Sequence, residues 1–266
     1  MHAAAMRGGV LALWWAVLTA VLLALVLRFE GFPPAAAREA GVADHAFRLL
    51  MLMASPVFAL VVAVLVYSVV SCRSQGDPPE PPPYLPEHPA VPRVWFAATA
   101  ALAAYVIYNP GLVGLAEMRE VPLRALLASS PASRVRLASL ADPDADLVVR
   151  VRASRWLWQF DYPQQGLTTR ELVLPVGRRV RFEVTSVDIV HSFWVPAFRT
   201  KIDAVPNLTT VLHVTPTRTG SFQDTVALRV QCAELCGVGH GIMAAPGRVL
   251  DPEGFEAWVA AEQARR

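Results

Sequence analysis

The chain has 266 residues, a hydrophobic fraction of 54% and a formal net charge of +2. A mean hydropathy of +0.39 predicts that part of the chain lies in a membrane. The net charge says little about partners, and no nucleic-acid partner is expected. Two of the three cysteines lie in one short loop, so no disulfide framework is predicted.

Three apolar runs are each close to the ~20 residues that cross a bilayer. They cover residues 10–27, 49–70 and 94–115. The third run contains Asn109 and Pro110, so we expect a shorter or kinked span. The first run is either a signal peptide or a retained helix, and the lack of a small-residue cleavage site directly after it favours retention. Residues 1–117 are therefore predicted to be a membrane anchor with two or three transmembrane helices.

Two stretches outside these runs have no clear period. The connector at residues 71–93 is rich in proline and is predicted to be extended and semi-rigid. Cys72 at its start is interpreted as a juxtamembrane thiol rather than a lipid-attachment site. Residues 118–147 are predicted to be a linker or insertion with one short helix.

From residue 148 the pattern changes to β-strands. Val149 and Val151 alternate with Arg150 and Arg152, which is typical of a half-buried strand. Further strands are predicted at residues 171–174, 179–185, 209–214 and 227–231. Short strands at this spacing indicate an antiparallel sandwich over residues 148–266, followed by a helix from residue 252 that buries Phe255, Trp258 and Val259.

Four aromatic residues recur at every second position in R-W-L-W-Q-F-D-Y-P. They are Trp156, Trp158, Phe160 and Tyr162. On a strand these rings share one face. By itself this pattern predicts a stripe of the sandwich core.

The stretch C-A-E-L-C-G-V-G-H-G-I-M, residues 232–243, has the composition of a metal-binding loop. Thiolate, imidazole and thioether groups are donors that select copper, zinc or iron rather than hard cations. The interspersed glycines allow sharp backbone turns. Taken alone, the two cysteines could as well form a disulfide, or be two buried thiols, as bind a metal.

A mononuclear blue-copper site needs one cysteine, two histidines and a weak methionine ligand, so this loop has one cysteine too many. A second histidine is available at His191 in V-H-S-F-W-V-P, just after the predicted strand at 179–185. Two histidines, two cysteines and a methionine suit two copper ions bridged by both thiolates. Met243 and the backbone carbonyl of Glu234 would then be the weak donors.

These two motifs, H-S-F-W-V-P and C-A-E-L-C-G-x-G-H-x-x-M, closely resemble subunit II of the haem-copper cytochrome c oxidases. The resemblance extends over residues 47–250 and is weakest at 112–147. It implies transmembrane helices followed by an all-β cupredoxin-like Greek-key sandwich with a binuclear copper centre. The implied copper ligands are His191, Cys232, Glu234, Cys236, His240 and Met243. Glu234 would also hold a magnesium or manganese ion shared with subunit I.

The resemblance further implies electron transfer within a respiratory terminal oxidase of a bacterial cell membrane. Electrons from a cytochrome c-like donor would arrive at Trp156, pass to the copper pair and continue to haem in subunit I, where oxygen is reduced. Subunit I and subunit III are the implied partners. The copper domain would lie on the outer side of the membrane, which places the N-terminus in the cytoplasm if all three runs are helices.

Two features depart from the family's usual pattern. A glutamate that many members carry at the mouth of a proton path is replaced by Pro92, which cannot collect protons. From Val148 onwards the chain has 14 Lys and Arg against 11 Asp and Glu, and three of the arginines directly precede Trp156. This balance predicts a donor that docks through apolar contacts. Asp188, three residues before His191, either orients that imidazole or contacts subunit I.

Three alternatives were weighed against this interpretation. A copper-storage or copper-delivery protein could use the same donors, but delivery requires ligands that are readily released. A quinol-oxidase subunit would share the fold without the copper ligands. A nitrous oxide reductase has a similar loop but also a large catalytic domain, for which the chain has no room.

Overall fold

The computed structural model describes residues 2–71, 90–119 and 147–265. The chain divides into two compact units. One is formed by residues 1–31 and 45–117, and the other by residues 32–44 and 118–266. Residues 72–89, which include Cys72 and most of the proline-rich connector, and residues 120–146 of the predicted linker lie outside the described residues.

Helices make up the first unit and the start of the second. They are α1 (His2–Leu27), α2 (Arg38–Ser71), α3 (Ala90–Val106) and α4 (Val113–Arg119), with a π-helical turn over Ile107–Leu112 between α3 and α4. Three segments are long and apolar enough to cross a membrane, namely Gly9–Leu27, Arg38–Val70 and Pro92–Met118. The three predicted apolar runs are therefore confirmed as helical, with α2 beginning well before the run that predicted it.

The third span is kinked where the sequence predicted an interruption. Asn109 has φ −133° and ψ 113°, which is extended rather than helical. Proline disfavours helical backbone at the preceding residue and cannot donate a backbone hydrogen bond. Pro110 therefore accounts for the break between α3 and α4.

Helix α1 contacts α2 directly. The indole Nε1 of Trp15 donates to the carbonyl oxygen of Pro56 at 2.8 Å. Ser55, Ala59 and Ala63 of α2 are all buried, and their spacing of four residues places them on one helix face. Small residues at such positions let membrane helices approach closely, and the Trp15 hydrogen bond attaches α1 to α2.

The second unit is a β-sandwich followed by a helix. Its described strands are β1 (Leu147–Ser154), β2 (Leu157–Tyr162), β3 (Leu167–Thr169), β4 (Leu172–Pro175), β5 (Val180–Ser186), β6 (His191–Val195), β7 (Thr200–Ala204), β8 (Thr210–Val214), β9 (Gly220–Ser221), β10 (Val230–Cys232), β11 (Ala244–Ala245) and β12 (Gly247–Leu250), and the helix is α5 (Pro252–Ala264). Phe255, Trp258 and Val259 of α5 are buried, as predicted.

Three sheets form the sandwich, with strand orders β3-β2-β1-β5-β8, β11-β10-β6-β7 and β4-β12-β9. The pairs β1–β5 and β4–β12 run parallel, so the sandwich is mixed rather than purely antiparallel. The strand predicted at 227–231 begins later than expected. The first residues of the predicted strand instead form a 3₁₀ turn, Val226–Leu228. The Thr225 side chain caps this turn by accepting a hydrogen bond from Ala227 N.

Residues 32–44, between the first two spans, are part of the sandwich unit. Ala36 N donates to Ala197 O at 2.9 Å, and Thr217 N donates to Ala36 O at 2.9 Å. Ala36 and Ala37 are buried within the sandwich core. The predicted domain boundary at residue 117 does not hold for this segment, because its backbone hydrogen bonds go to loops of the sandwich far along the chain.

Charged side chains reinforce this attachment. The Arg199 guanidinium contacts both carboxylate oxygens of Asp44, at 2.8 and 3.1 Å, and also donates to the carbonyl of Pro33. The buried carboxylate of Glu39 accepts from Thr215 N. Arg199 follows β6 by only four residues, so the segment is fixed beside the strand that carries His191.

Candidate metal centre

The loop from β10 to β11 brings four potential ligands together over twelve residues. Cys232 ends β10, Cys236 lies in the turn, His240 begins a 3₁₀ turn and Met243 directly precedes β11. Cys232 N donates to Met243 O at 3.0 Å, which closes the loop at its base. Gly237 has φ +103°, a conformation that favours glycine, and it allows the backbone to reverse after Cys236.

His191 comes to the same place from a different part of the chain. It is the first residue of β6, which pairs antiparallel with β10 so that Cys232 lies opposite Phe193. Residues two apart on a strand share a face, so His191 points to the same side as Cys232. The imidazole is completely buried, and its ring packs edge-on against Trp158 with centroids 6.4 Å apart.

The side-chain donors converge closely. Cys232 Sγ lies 3.7 Å from Cys236 Sγ and 3.9 Å from His191 Nδ1, and these three ligand atoms all lie within 4.8 Å of one another. Cys236 Sγ lies 3.6 Å from His240 Nδ1 and 3.8 Å from Met243 Sδ. The carbonyl oxygen of Glu234 is 3.1 Å from Cys232 Sγ. All six predicted copper-ligand positions are thus brought together.

The spacing of the two sulfurs fits a shared metal better than a disulfide. A disulfide requires about 2.05 Å between the sulfurs, and both thiols are free at 3.7 Å. If an ion lay about 2.3 Å from each sulfur, the usual metal–thiolate distance, the S–ion–S angle would be close to tetrahedral. With imidazole nitrogens on both sides, the donor set suits copper.

Asp188 holds His191 in the orientation that a metal requires. Its Oδ1 lies 2.9 Å from His191 Nε2. An ionised carboxylate only accepts hydrogen bonds, so Nε2 carries the proton and Nδ1 is free to face the sulfurs. Carboxylates commonly orient metal-binding histidines in this way. Of the two roles weighed for Asp188, its orientation of the imidazole is confirmed.

The environment of Cys236 disfavours its thiolate. Burial, together with the neighbouring Cys232, raises the pKa of Cys236 to about 11. A metal binds the thiolate, so loading the site must release a proton. Loading is therefore expected to be favoured as the pH rises.

Trp156 lies in the turn between β1 and β2 rather than on a strand. Trp158, Phe160 and Tyr162 are buried in the core, whereas Trp156 is 38% exposed. The prediction that all four rings share one strand face is wrong for Trp156, because β2 begins only at Leu157. The indole instead lies against the metal loop, and Nε1 donates to Cys236 O at 3.0 Å.

Gly239 is required by this packing, a role that the sequence did not reveal. A Cβ at Gly239 would lie 2.3 Å from Cδ2 of Trp156, while one at Gly241 would meet nothing within 4 Å. The glycines were interpreted only as turn residues. The contact joins positions 83 residues apart, so no local signal could have identified it.

The remaining candidate residues lie at the edge of the cluster or away from it. Glu234 turns its side chain to the surface, while its carbonyl faces Cys232. His213 on β8 is not among the side chains that converge on the sulfurs. The metal loop also exposes three apolar side chains, Leu235, Val238 and Ile242, which are 80 to 100% accessible.

The fold and the site define the class. This is a cupredoxin-like domain with a cysteine–histidine metal cluster, in a chain that also carries helices able to span a membrane. Residues 166–246 match the family described as "Cytochrome C oxidase subunit II, periplasmic domain". The resemblance to cytochrome c oxidase subunit II that the two motifs carry is thereby confirmed.

Individual relatives carry the same name. Cytochrome c oxidase subunit 2 of Thermostichus vulcanus is 29% identical over 94% of this chain and 85% of its own length. A probable cytochrome c oxidase subunit 2 of Streptomyces coelicolor is 44% identical over 35% of this chain and 28% of its own. The crystal structure of the periplasmic domain of cytochrome oxidase subunit II of Bradyrhizobium japonicum is 30% identical, covers 47% of this chain and 99% of its own, and has a TM-score of 0.42.

Proposed function

We propose that this chain is the electron-transfer subunit of a respiratory terminal oxidase. It receives electrons from a cytochrome c-like donor at Trp156, holds them at a binuclear copper centre and passes them to haem in subunit I. The observation that carries the proposal is the convergence of the two Nδ1 atoms, the thioether and the Glu234 carbonyl on two neighbouring thiols. When bound, the copper pair supplies a one-electron acceptor and donor.

The protein's own residues prepare this site for rapid electron transfer. Asp188 fixes the His191 ring, and the hydrogen bond from Cys232 N to Met243 O fixes the base of the loop. A ligand set held by the fold changes little in geometry when the charge of the centre changes. Such preorganisation lowers the cost of reorganisation at the moment of reaction.

Trp156 is suited to receive the electron. It joins the surface to the metal loop, because its ring is partly exposed and its Nε1 is bonded to the carbonyl of Cys236. The path from the indole to a ligand residue therefore needs only one hydrogen bond. Trp158 packs beneath His191 in the core and is assigned a packing role.

The surface around Trp156 favours an apolar contact with the donor. Three arginines near it are each paired with an acidic residue, in the pairs Arg150–Glu183, Arg152–Asp161 and Arg155–Asp188, at 3.1, 2.7 and 3.3 Å. The local charge is therefore largely neutralised. Val238 and Ile242 expose apolar surface on the metal loop, whose Gly237 and Gly239 lie against the indole.

We place the copper domain on the outer side of a bacterial cell membrane, anchored by the helical spans. Subunit I and subunit III are the proposed partners in that membrane. The exposed carboxylate of Glu234 is available to a second ion, magnesium or manganese, shared with subunit I. Its own carbonyl faces Cys232, so one residue would contact both metal sites.

The experiment that tests the proposal is copper loading of the full-length chain in detergent. We expect two coppers per chain and an electron paramagnetic resonance signal in which one unpaired electron is shared between them. Cys232→Ser and Cys236→Ser should each abolish the shared signal. Cys72→Ser, at the only cysteine outside the loop, is the matched control and should leave it unchanged.

A different metal count would point to a different protein. One copper per chain, or tight zinc binding in its place, would contradict the proposal. Two coppers that a small chelator removes quickly would favour copper delivery instead, since an electron-transfer centre keeps its ligands.

A further inference from the structure

The carboxylate of Asp188 joins two parts of the site that are far apart in sequence. Its Oδ1 contacts His191 Nε2 at 2.9 Å and accepts from Ile189 N at 2.7 Å. Its Oδ2 accepts from the backbone N of Arg155 at 2.8 Å. One oxygen therefore holds a predicted metal ligand, and the other holds the residue immediately before Trp156.

The charge on this carboxylate is maintained by its surroundings. Burial pushes the pKa of Asp188 upward, but the hydrogen bonds from Arg155 N, His191 and Ile189 N outweigh it and leave the pKa well below its ordinary value. Hydrogen bonds to an ionised acceptor are shorter and about twice as strong as neutral ones. Both connections are therefore strong at neutral pH.

We propose that Asp188 is a positioning residue that sets the distance of Trp156 from the metal cluster, in addition to orienting His191. This inference rests on the proposed function, because it concerns the path by which electrons reach the centre. The β1–β2 turn otherwise reaches the cluster through the indole alone, whose Nε1 is bonded to Cys236 O. Asp188 provides a second attachment, through the backbone, at the base of the turn.

The two attachments act on different atoms of the same turn. The indole hydrogen bond and the contact with Gly239 place the ring against the metal loop, whereas Asp188 places the peptide that carries the ring. Without the second attachment, the ring can move while its hydrogen bond lengthens. Electron transfer is sensitive to such a shift, as is any process that needs two groups held in a fixed geometry.

Asparagine at position 188 separates the two roles. An asparagine side chain keeps one acceptor oxygen and replaces the other with an NH₂ donor. Oδ1 contacts Ile189 N and His191 Nε2 at 2.7 and 2.9 Å, whereas Oδ2 accepts from Arg155 N and Nε at 2.8 and 3.3 Å, so Oδ1 has the shorter pair of contacts. The remaining oxygen is therefore expected to take the Oδ1 position and keep the His191 contact, which leaves the amide facing the Arg155 N–H donor.

The test compares Asp188→Asn with Asp188→Ala in the full-length chain. Hydrogen–deuterium exchange at the Arg155 amide should become faster in both variants, in the metal-free and the copper-loaded protein alike. The copper signal should be close to wild type in Asp188→Asn and altered in Asp188→Ala, where His191 loses its partner. Electron transfer from the donor should fall by about tenfold in Asp188→Asn, because a misplacement on the order of 1 Å is costly in such geometry.

Asp161→Asn is the matched control. Asp161 is also paired with an arginine of β1, at 2.7 Å, but it does not contact Arg155 N or His191. The Asp161→Asn substitution removes one negative charge from the same surface. A similar loss of electron-transfer rate in this variant would show that charge, not position, is responsible, and would overturn the inference.

Two further outcomes would also overturn it. In the first, Asp188→Asn leaves both the amide exchange and the rate unchanged. In the second, Asp188→Asn loses the copper signal as completely as Asp188→Ala, which would mean that Asp188 acts through His191 alone. Amide exchange in the metal-free protein reads the Asp188–Arg155 connection directly, so failure of the copper assignment would be recognised separately.

Discussion

The indole Nε1 of Trp156 donates a hydrogen bond to the backbone carbonyl of Cys236 across 3.0 Å. This bond connects a partly exposed ring with a residue whose sulfur faces both His240 and Met243. The surface and the metal cluster are therefore linked through a single side chain. The position of the Trp156 side chain can therefore be tested by substitutions around it.

Gly239→Ala should displace Trp156. The new Cβ would lie 2.3 Å from the indole Cδ2, so the ring must move away and its hydrogen bond to Cys236 must weaken. We expect electron transfer from the donor to slow by about tenfold, measured by stopped-flow reduction of the copper-loaded chain. Gly241→Ala is the control: Gly241 lies on the other side of His240, and a Cβ there would meet no atom within 4 Å. This variant should react at the wild-type rate. Equal slowing in both variants would contradict the role given to the Trp156 contact.

Met243→Leu should keep the metal but shift the reduction potential. The thioether is buried and lies 3.8 Å from Cys236 Sγ, and a weak axial ligand tunes a copper centre more than it holds it. Leucine preserves most of the volume, so the fold should change little. Redox titration of the copper absorption bands measures the shift. Loss of copper from this variant would show that Met243 is a strong ligand and would count against the expected site.

The reaction with the donor should depend weakly on ionic strength. The three arginines near Trp156 are paired with Glu183, Asp161 and Asp188, and exposed charges are screened beyond about 10 Å at 0.1 M salt. We expect the second-order rate to change by less than about tenfold between low and high salt, short of the 10- to 1,000-fold that electrostatic steering can add. A steep fall with salt would mean that the donor docks by charge.

Asp44→Asn should destabilise the copper domain although Asp44 lies far from it in sequence. The substitution leaves the Arg199 guanidinium, which is 13% exposed, without its charged partner. A hydrogen bond to a charged group contributes about 1.5 to 3 kcal/mol, and thermal unfolding of the full-length chain should reveal a loss in that range. Glu262→Gln removes the carboxylate partner of the exposed Arg265 and should cost at most about 1 kcal/mol. Equal effects would indicate that residues 32–44 add nothing to the domain.

Helix α1 should be present in the mature protein. Trp15 donates to Pro56 O at 2.8 Å, and α2 buries Ser55, Ala59 and Ala63 on one face. A cleaved signal peptide would leave the Pro56 carbonyl of α2 without this donor. Intact-mass measurement of the purified chain is expected to include residues 1–27. A mature start beyond residue 28 would show that the packing seen here is lost on processing.

The metal loop could be predicted from the sequence because it is local. Cys232, Cys236, His240 and Met243 fall within twelve residues, and their chemistry alone restricts the metal. His191 was found through the motif that follows a strand signal. The apolar runs were equally predictable, since about 20 uncharged residues in succession are enough to span a bilayer. Pro110 predicted the kink in the third span.

Tertiary structure decided everything that depends on contacts between distant residues. The sequence placed Trp156 on a strand, but its indole turns out to lie on Gly239 and to bond to Cys236, 80 residues away. It assigned residues 32–44 to the anchor, but their backbone hydrogen bonds lead to the sandwich. Periodicity reports which face of a local element is apolar, and it carries no information about which distant backbone group satisfies a given N–H or C=O. The candidate ligands and the contact of Asp188 with His191 were therefore predictable from the sequence, whereas the hydrogen bond from Arg155 N to Asp188 was defined only by the fold.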